Sequence, residues 1–154
     1  MKQKIYPKNV VFYLGEDDVP SIMPYCSLLN MNGIGTKLCH SADRLIDRCR
    51  TKPKDVDLFV LELIVPDYGN DFKGLRNDRY YPHSALLLLN ELDVLGHTVP
   101  IIKQIPKIVL TSHAMDGRGK AWQETHDHVS LHKALIKKQT TPDMFLGIVQ
   151  QLLG

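Results

Sequence analysis

Asp57-Leu58-Phe59-Val60-Leu61-Glu62-Leu63-Ile64-Val65-Pro66 is the stretch on which the fold turns. A near-continuous apolar run of this length suits a central strand of a parallel sheet, covered on both faces. One carboxylate, Glu62, breaks the run. An acid in a buried strand is costly unless it is paired or coordinated. Glu62 is therefore the first candidate functional residue.

Shorter apolar runs flank this strand on both sides in the chain. Val10-Val11-Phe12-Tyr13-Leu14 reads as a first strand and runs into the acids Glu16-Asp17-Asp18. A helix should follow from about Pro20 or Ser21 and stop at Asn32-Gly33, where glycine tolerates positive φ. Pro24 fits only the first turn of a helix, so a late start is expected. Thr36 to His40 predicts an edge strand, 42–50 a helix, and Thr51-Lys52-Pro53-Lys54 a turn. Residues 67–83, with Gly69, Gly74 and Pro82, read as a long loop. Ser84 to Leu95 is a leucine-rich helix closed by Gly96, and Leu86 to Leu89 is its core face. Lys107-Ile108-Val109-Leu110-Thr111 is the fourth strand and Val129-Ser130-Leu131-His132 a short fifth. Thr141 and Pro142 open a last helix carrying Met144, Phe145, Ile148, Val149 and Leu152 at helical spacing. Strands alternating with helices predict an α/β, flavodoxin-like, doubly wound sheet of order 2-1-3-4-5. The 154 residues suit a single domain.

The totals exclude several classes. A formal net charge of +2 argues for no nucleic-acid partner, because such binders carry a clustered basic face. Arg118, Lys120 and Trp122 read as a solvated helix face. Neither a signal peptide nor a membrane span is expected, so the location should be cytoplasmic. Cys26, Cys39 and Cys49 have no metal-ligand spacing and read as reduced thiols. His126, Asp127, His128 and His132 cluster in sequence, with His113 upstream, but no cysteine or glutamate completes a transition-metal site.

Ligands of such folds bind beyond the carboxyl ends of the strands. Strand one delivers Glu16 and Asp17 there, strand three Glu62, strand four Thr111 with Ser112, and strand five Lys133. Singly, acids after a strand cap helices and a lysine is solvated; together they form a candidate site.

The motifs VVFYLGEDDVP, DLFVLELIVP and PKIVLTSHAMDG resemble, in order, the strand ends of response-regulator receiver domains. From Leu110 to Lys133 the spacing follows that family without a gap. The resemblance implies that Glu16, Asp17 and the acceptor position Glu62 would hold Mg2+. It also implies that Thr111 and Lys133 would grip phosphoryl oxygens. A histidine kinase, a phosphotransfer protein or a separate output protein would be the partner. Four departures stand out. Glu62 replaces the acceptor aspartate, Ser130 replaces the aromatic switch residue, Ala134 replaces the proline after the lysine, and 67–83 enlarges the loop after the acceptor strand.

The extra methylene of glutamate moves the carboxylate by about 1.5 Å. A misplacement of about 1 Å can cost on the order of a hundredfold in an in-line transfer. The longer acid could instead reach the site's lysine directly. The reading is an atypical, stand-alone receiver that is not an enzyme and acts by protein–protein interaction, with phosphorylation lost or weak. Its rival is a magnesium-dependent phosphoreceiver or phosphatase-like enzyme using Glu62 or Asp67. Partner contact is expected from the loop, where Arg76, Arg79, Tyr80 and Tyr81, beside Phe72, combine aromatic area with cationic donors.

Overall fold

The computed structural model describes residues 8–65, 84–112 and 120–154. Five parallel strands form one sheet in the order β2-β1-β3-β4-β5. They are β1 (Lys8–Tyr13), β2 (Ile34–Cys39), β3 (Leu58–Leu61), β4 (Lys107–Thr111) and β5 (Lys133–Ile136). The helices are α1 (Val19–Met31), α2 (Ala42–Thr51), α3 (Ser84–Leu95), α4 (Ile101–Gln104), α5 (Lys120–His126) and α6 (Pro142–Leu153). The expected doubly wound order is the observed one.

Side chains alternate across a strand, so each inner strand feeds two cores. Val11, Tyr13, Phe59, Leu61 and Val109 pack with Leu45, Leu88, Leu92 and Ile102 of α2, α3 and α4. Val10, Phe12, Leu58, Val60, Ile108 and Leu110 pack with Ile22, Leu29, Phe145 and Val149 of α1 and α6. Burial on both faces is the physical reason that 58–65 lacks polar alternation.

Local signals place most helix ends. Gly33 closes α1 at φ +77°, a conformation that a side chain would strain. Ser41 Oγ accepts from the Arg44 amide at 3.4 Å to cap α2. Thr141 Oγ1 accepts from Met144 at 3.2 Å to cap α6.

Two elements differ from the sequence reading. Helix α1 starts at Val19 and runs through Pro24 rather than starting late. Proline removes the bond to the Pro20 carbonyl, but Pro20 and Pro24 are both exposed, so water can serve that carbonyl. The fifth strand is Lys133–Ile136, not 129–132. Ala134 and Ile136 pack on one core and Leu135 on the other. The polar segment 126–132 offers no such two-sided apolar pattern. Residues 67–83 lie outside the described residues, and the expectations for Asp67, Phe72, Arg76, Arg79, Tyr80 and Tyr81 lie there with them.

The short helix α4 escaped the sequence reading, and it explains a buried lysine. Lys107, 2% exposed, donates from Nζ to the carbonyls of Ile102 at 3.0 Å and Ile105 at 2.8 Å. Its ammonium also lies 5.9 Å from the Phe59 ring centre. Burial pushes its pKa below the usual lysine value, while Asp93 and Cys49 pull the other way. Between that lowered value and the unfolded one, about 10.4, the unfolded chain binds more protons. Folding stability must therefore rise with pH across that window and be lost as pH falls through the folded value. Lys107→Met cannot titrate and should lack the rise. Urea unfolding of both proteins, near neutrality and at about pH 10, should show the parent gaining on the variant. A constant difference would show that the ammonium is not desolvated by folding.

Candidate functional site

The carboxyl edge of the sheet gathers its polar side chains around Glu62. The residue follows β3 directly, and its amide donates to the Tyr13 carbonyl at 2.8 Å, which holds the backbone beside β1. Its side chain is 2% exposed. Thr111, the last residue of β4, is fully buried and donates from Oγ1 to Glu62 Oε1 at 2.5 Å. Lys137 Nζ lies 3.3 Å from Glu62 Oε2, with the lysine side chain 9% exposed. The charge of Glu62 is thus paired inside the protein, as the cost of burying a carboxylate requires.

Lys137 is held in turn by α1. Its Nζ donates to Ser21 Oγ at 3.0 Å, and Ser21 Oγ donates to the Asp18 carbonyl at 2.8 Å. The Tyr25 hydroxyl, also on α1, donates to the carbonyls of Thr140 at 2.6 Å and Lys137 at 3.3 Å. Burial raises the Tyr25 pKa, which keeps the hydroxyl a donor. The 3-10 turn Lys137–Gln139 is therefore tied to α1 by backbone and side chain together. A continuous polar path runs Thr111–Glu62–Lys137–Ser21–Asp18 across the sheet edge.

This geometry corrects the lysine. Lys133 opens β5 opposite Ile108, at the amino end of the strand, and its side chain is exposed. Four residues further on, Lys137 follows the end of β5 and reaches Glu62. The missed signal was Ala134-Leu135-Ile136, the apolar run that had to be the strand. Ser130 is corrected with it. It precedes β5, where its amide donates to His128 Nδ1 at 3.1 Å and its hydroxyl to Asp93 Oδ1 at 2.6 Å. Counted from Lys137, the residue three positions earlier is Ala134, which also has no ring, and the residue after it is Lys138 rather than proline.

Glu16 and Asp17 lie in the 3-10 turn Glu16–Asp18 after β1, with exposed side chains. Among the described residues no three histidine, cysteine, aspartate or glutamate side chains gather closely enough to hold a metal ion. Glu62, the acid that would complete a magnesium site, has one oxygen bonded to Thr111 and the other paired with Lys137. Of the clustered histidines, the His128 side chain bonds Asn90 at 2.9 Å and the His132 ring accepts from the Lys107 amide at 3.2 Å. His113 lies outside the described residues. Burial raises the thiols of Cys26 to about 11 and Cys49 to about 12, so neither is a nucleophile at neutral pH.

No family model matches the sequence, and no curated protein matches it. Solved structures do. A CheY-like response regulator receiver domain protein from Methanospirillum hungatei JF-1 aligns over 95% of this chain and 93% of its own, with TM-score 0.63 and 14% identity. A response regulator receiver domain protein from Clostridium thermocellum aligns over 95% and 94%, with TM-score 0.58 and 13% identity. The chemotaxis response regulator CheY4 of Vibrio cholerae aligns over 94% and 98%, with TM-score 0.61 and 11% identity.

The chain has the receiver fold. Within this fold the Glu62 carboxylate lies at the carboxyl edge of the sheet, where doubly wound folds place their ligands. Here that place is taken by an internal ion pair. No helix among the described residues is long and apolar enough to cross a membrane.

Proposed function

We propose that this chain is an atypical receiver-type signalling module of a two-component pathway. It acts by binding a protein partner and accepts no stable phosphoryl group. The observation that carries the reading is the pairing of Glu62 with both Thr111 and Lys137. An acceptor carboxylate must offer a free oxygen in line with the incoming phosphorus. At Glu62 one oxygen accepts from Thr111 and the other faces Lys137. The longer side chain brings its own negative charge to the hydroxyl and ammonium that a phosphoryl group would need. The resting site then uses Lys137 in place of a divalent cation. The partner is a histidine kinase, a phosphotransfer protein or a separate output protein, and the protein works in the cytoplasm.

Incubation with acetyl phosphate and magnesium, followed by intact-mass measurement, tests this reading. The parent should show no added phosphate. Glu62→Asp, which withdraws the carboxylate by about 1.5 Å, should bind the phosphoryl mimic beryllofluoride better than the parent. An adduct mapped to Glu62 would overturn the proposal, and one mapped to Asp17 or Asp67 would move the acceptor elsewhere.

A further inference from the structure

In a parallel sheet each helix runs back against the strands, so every helix-to-strand connection lies at the amino edge, opposite Glu62. Here these are the end of α1 before β2, the end of α2 and the turn Pro53–Asp55 before β3, the end of α3 with α4 before β4, and the link from α5 to β5. Adjacent strands lie about 4.8 Å apart, so connections entering β2, β3, β4 and β5 spread over about 19 Å.

Two kinds of side chain stand out along that edge. Arg50, Lys52, Lys54, Lys103 and Lys133 are all exposed, and none pairs with a carboxylate among the described residues. Two of the neighbouring acids are answered elsewhere. Asp57 accepts from the Asn9 amide at 2.8 Å and lies 4.0 Å from Lys8. Asp93 lies 3.7 Å from His128 and offsets the buried Lys107 ammonium. Only Asp55 and Asp127 remain against the five cations. The same edge holds four of the six exposed large hydrophobic residues among those described: Met31 at 80%, Val94 at 63%, Ile101 at 37% and Val129 at 96%.

This mixture selects among anionic partners. Protein interfaces are depleted of lysine and anchored by aromatic rings and arginine. Here four of the five cations are lysine, and no phenylalanine, tyrosine or tryptophan lies on these connections. Single-stranded nucleic acid also calls for aromatic rings on which bases stack, and exposed aliphatic groups give phosphates nothing. An anionic bilayer uses both kinds of side chain, with cations at the headgroups and aliphatic groups in the interfacial layer. We propose that the amino edge of the sheet seats the protein on an anionic lipid surface. The five cations meet the headgroups, and the four aliphatic side chains, carried on three separate connections, enter the interface. The contact is peripheral, needs no spanning helix, and leaves the Glu62 edge facing solvent. It is independent of the ion pair at Glu62.

Co-sedimentation of the parent protein with vesicles is the test. The protein should partition onto vesicles of equal parts phosphatidylglycerol and phosphatidylcholine, and not onto phosphatidylcholine alone. Added salt should weaken the partitioning, because headgroup attraction is screened beyond a Debye length. One cation near an anionic surface is worth about fivefold. The triple variant Lys52→Glu, Lys54→Glu, Lys103→Glu should therefore lose at least about tenfold, with little change in melting temperature because these side chains are exposed. Ile101→Ser with Val129→Ser should lose about threefold or more with the charge untouched. Arg44→Glu, at the other end of α2, reverses a charge away from this edge and should change partitioning little. Equal binding to neutral and anionic vesicles, or binding to neither, overturns the proposal. So does an Ile101→Ser, Val129→Ser variant that partitions like the parent, since the aliphatic contact is what sets a bilayer apart from other polyanions. Binding of a single-stranded oligonucleotide or an acidic peptide, with none to vesicles, would give the edge to a different partner. The vesicle comparison is read on the unaltered protein, so the outcome does not depend on a variant folding.

Discussion

Lys137→Met should destabilise the protein by about 3–5 kcal/mol, because it leaves the Glu62 carboxylate buried without its counter-charge. For a chain of this size each kcal/mol moves the melting temperature by about 2–4 °C, so a clear shift is expected. The loss belongs to the pair rather than to the lysine alone. Glu62→Met combined with Lys137→Met should therefore recover most of it, since apolar replacement of a whole buried pair is often neutral or stabilising. Thermal and urea unfolding of the two single variants and the double variant give the coupling energy directly. Lys133→Met is the control and should change stability by less than about 0.5 kcal/mol, as exposed substitutions do. Equal losses at Lys133 and Lys137 would show that the carboxyl-edge pair is not what holds Glu62.

Phe145→Ala should cost a similar about 3–5 kcal/mol, the usual range for truncating a buried phenylalanine. Phe145 of α6 is fully buried, with its ring centre 6.3 Å from that of Phe12 and edge-on to Tyr25 at 5.3 Å. The ring therefore supports the residue whose hydroxyl ties α1 to the turn at Lys137. Losing it should loosen the site as well as the core. Hydrogen exchange at Lys137 to Thr140 should quicken in Phe145→Ala more than global destabilisation accounts for. Phe145→Leu, which keeps most of the volume, should lose far less. A variant that unfolds earlier with unchanged relative exchange in that turn would confine Phe145 to packing. Deleting the Tyr25 hydroxyl in Tyr25→Phe would then separate the two roles.

The fold was legible because its signals are local and redundant. The run 57–66 could only be a strand covered on both faces, and Gly33, Thr141 with Pro142, and Ser84 to Leu95 each mark an element by backbone or spacing chemistry. Glu62 and Thr111 were legible for the same reason: one is a charge inside an apolar run, the other a hydroxyl at the end of one. Lys133 was misassigned because spacing was given more weight than burial. The segment from His126 to His132 could be a strand by composition, and only the two-sided packing of Ala134, Leu135 and Ile136 shows which residues pair with β4.

By itself the sequence determined which residues are apolar on two faces, where helices begin and stop, and that a carboxylate must lie within the central strand region. Tertiary structure alone decided which cation answers that carboxylate. Several lysines lie near the carboxyl half of the chain, and motif spacing does not distinguish Lys133 from Lys137. The choice follows from strand register: Thr111 opposite Ile136 leaves Lys137 at the carboxyl edge, next to Glu62 and Ser21. Ser21, Tyr25 and Lys107 had no sequence signal either, because their partners are the Asp18, Thr140 and Ile105 carbonyls. A carbonyl is present at every residue, so only packing selects the one that a side chain meets.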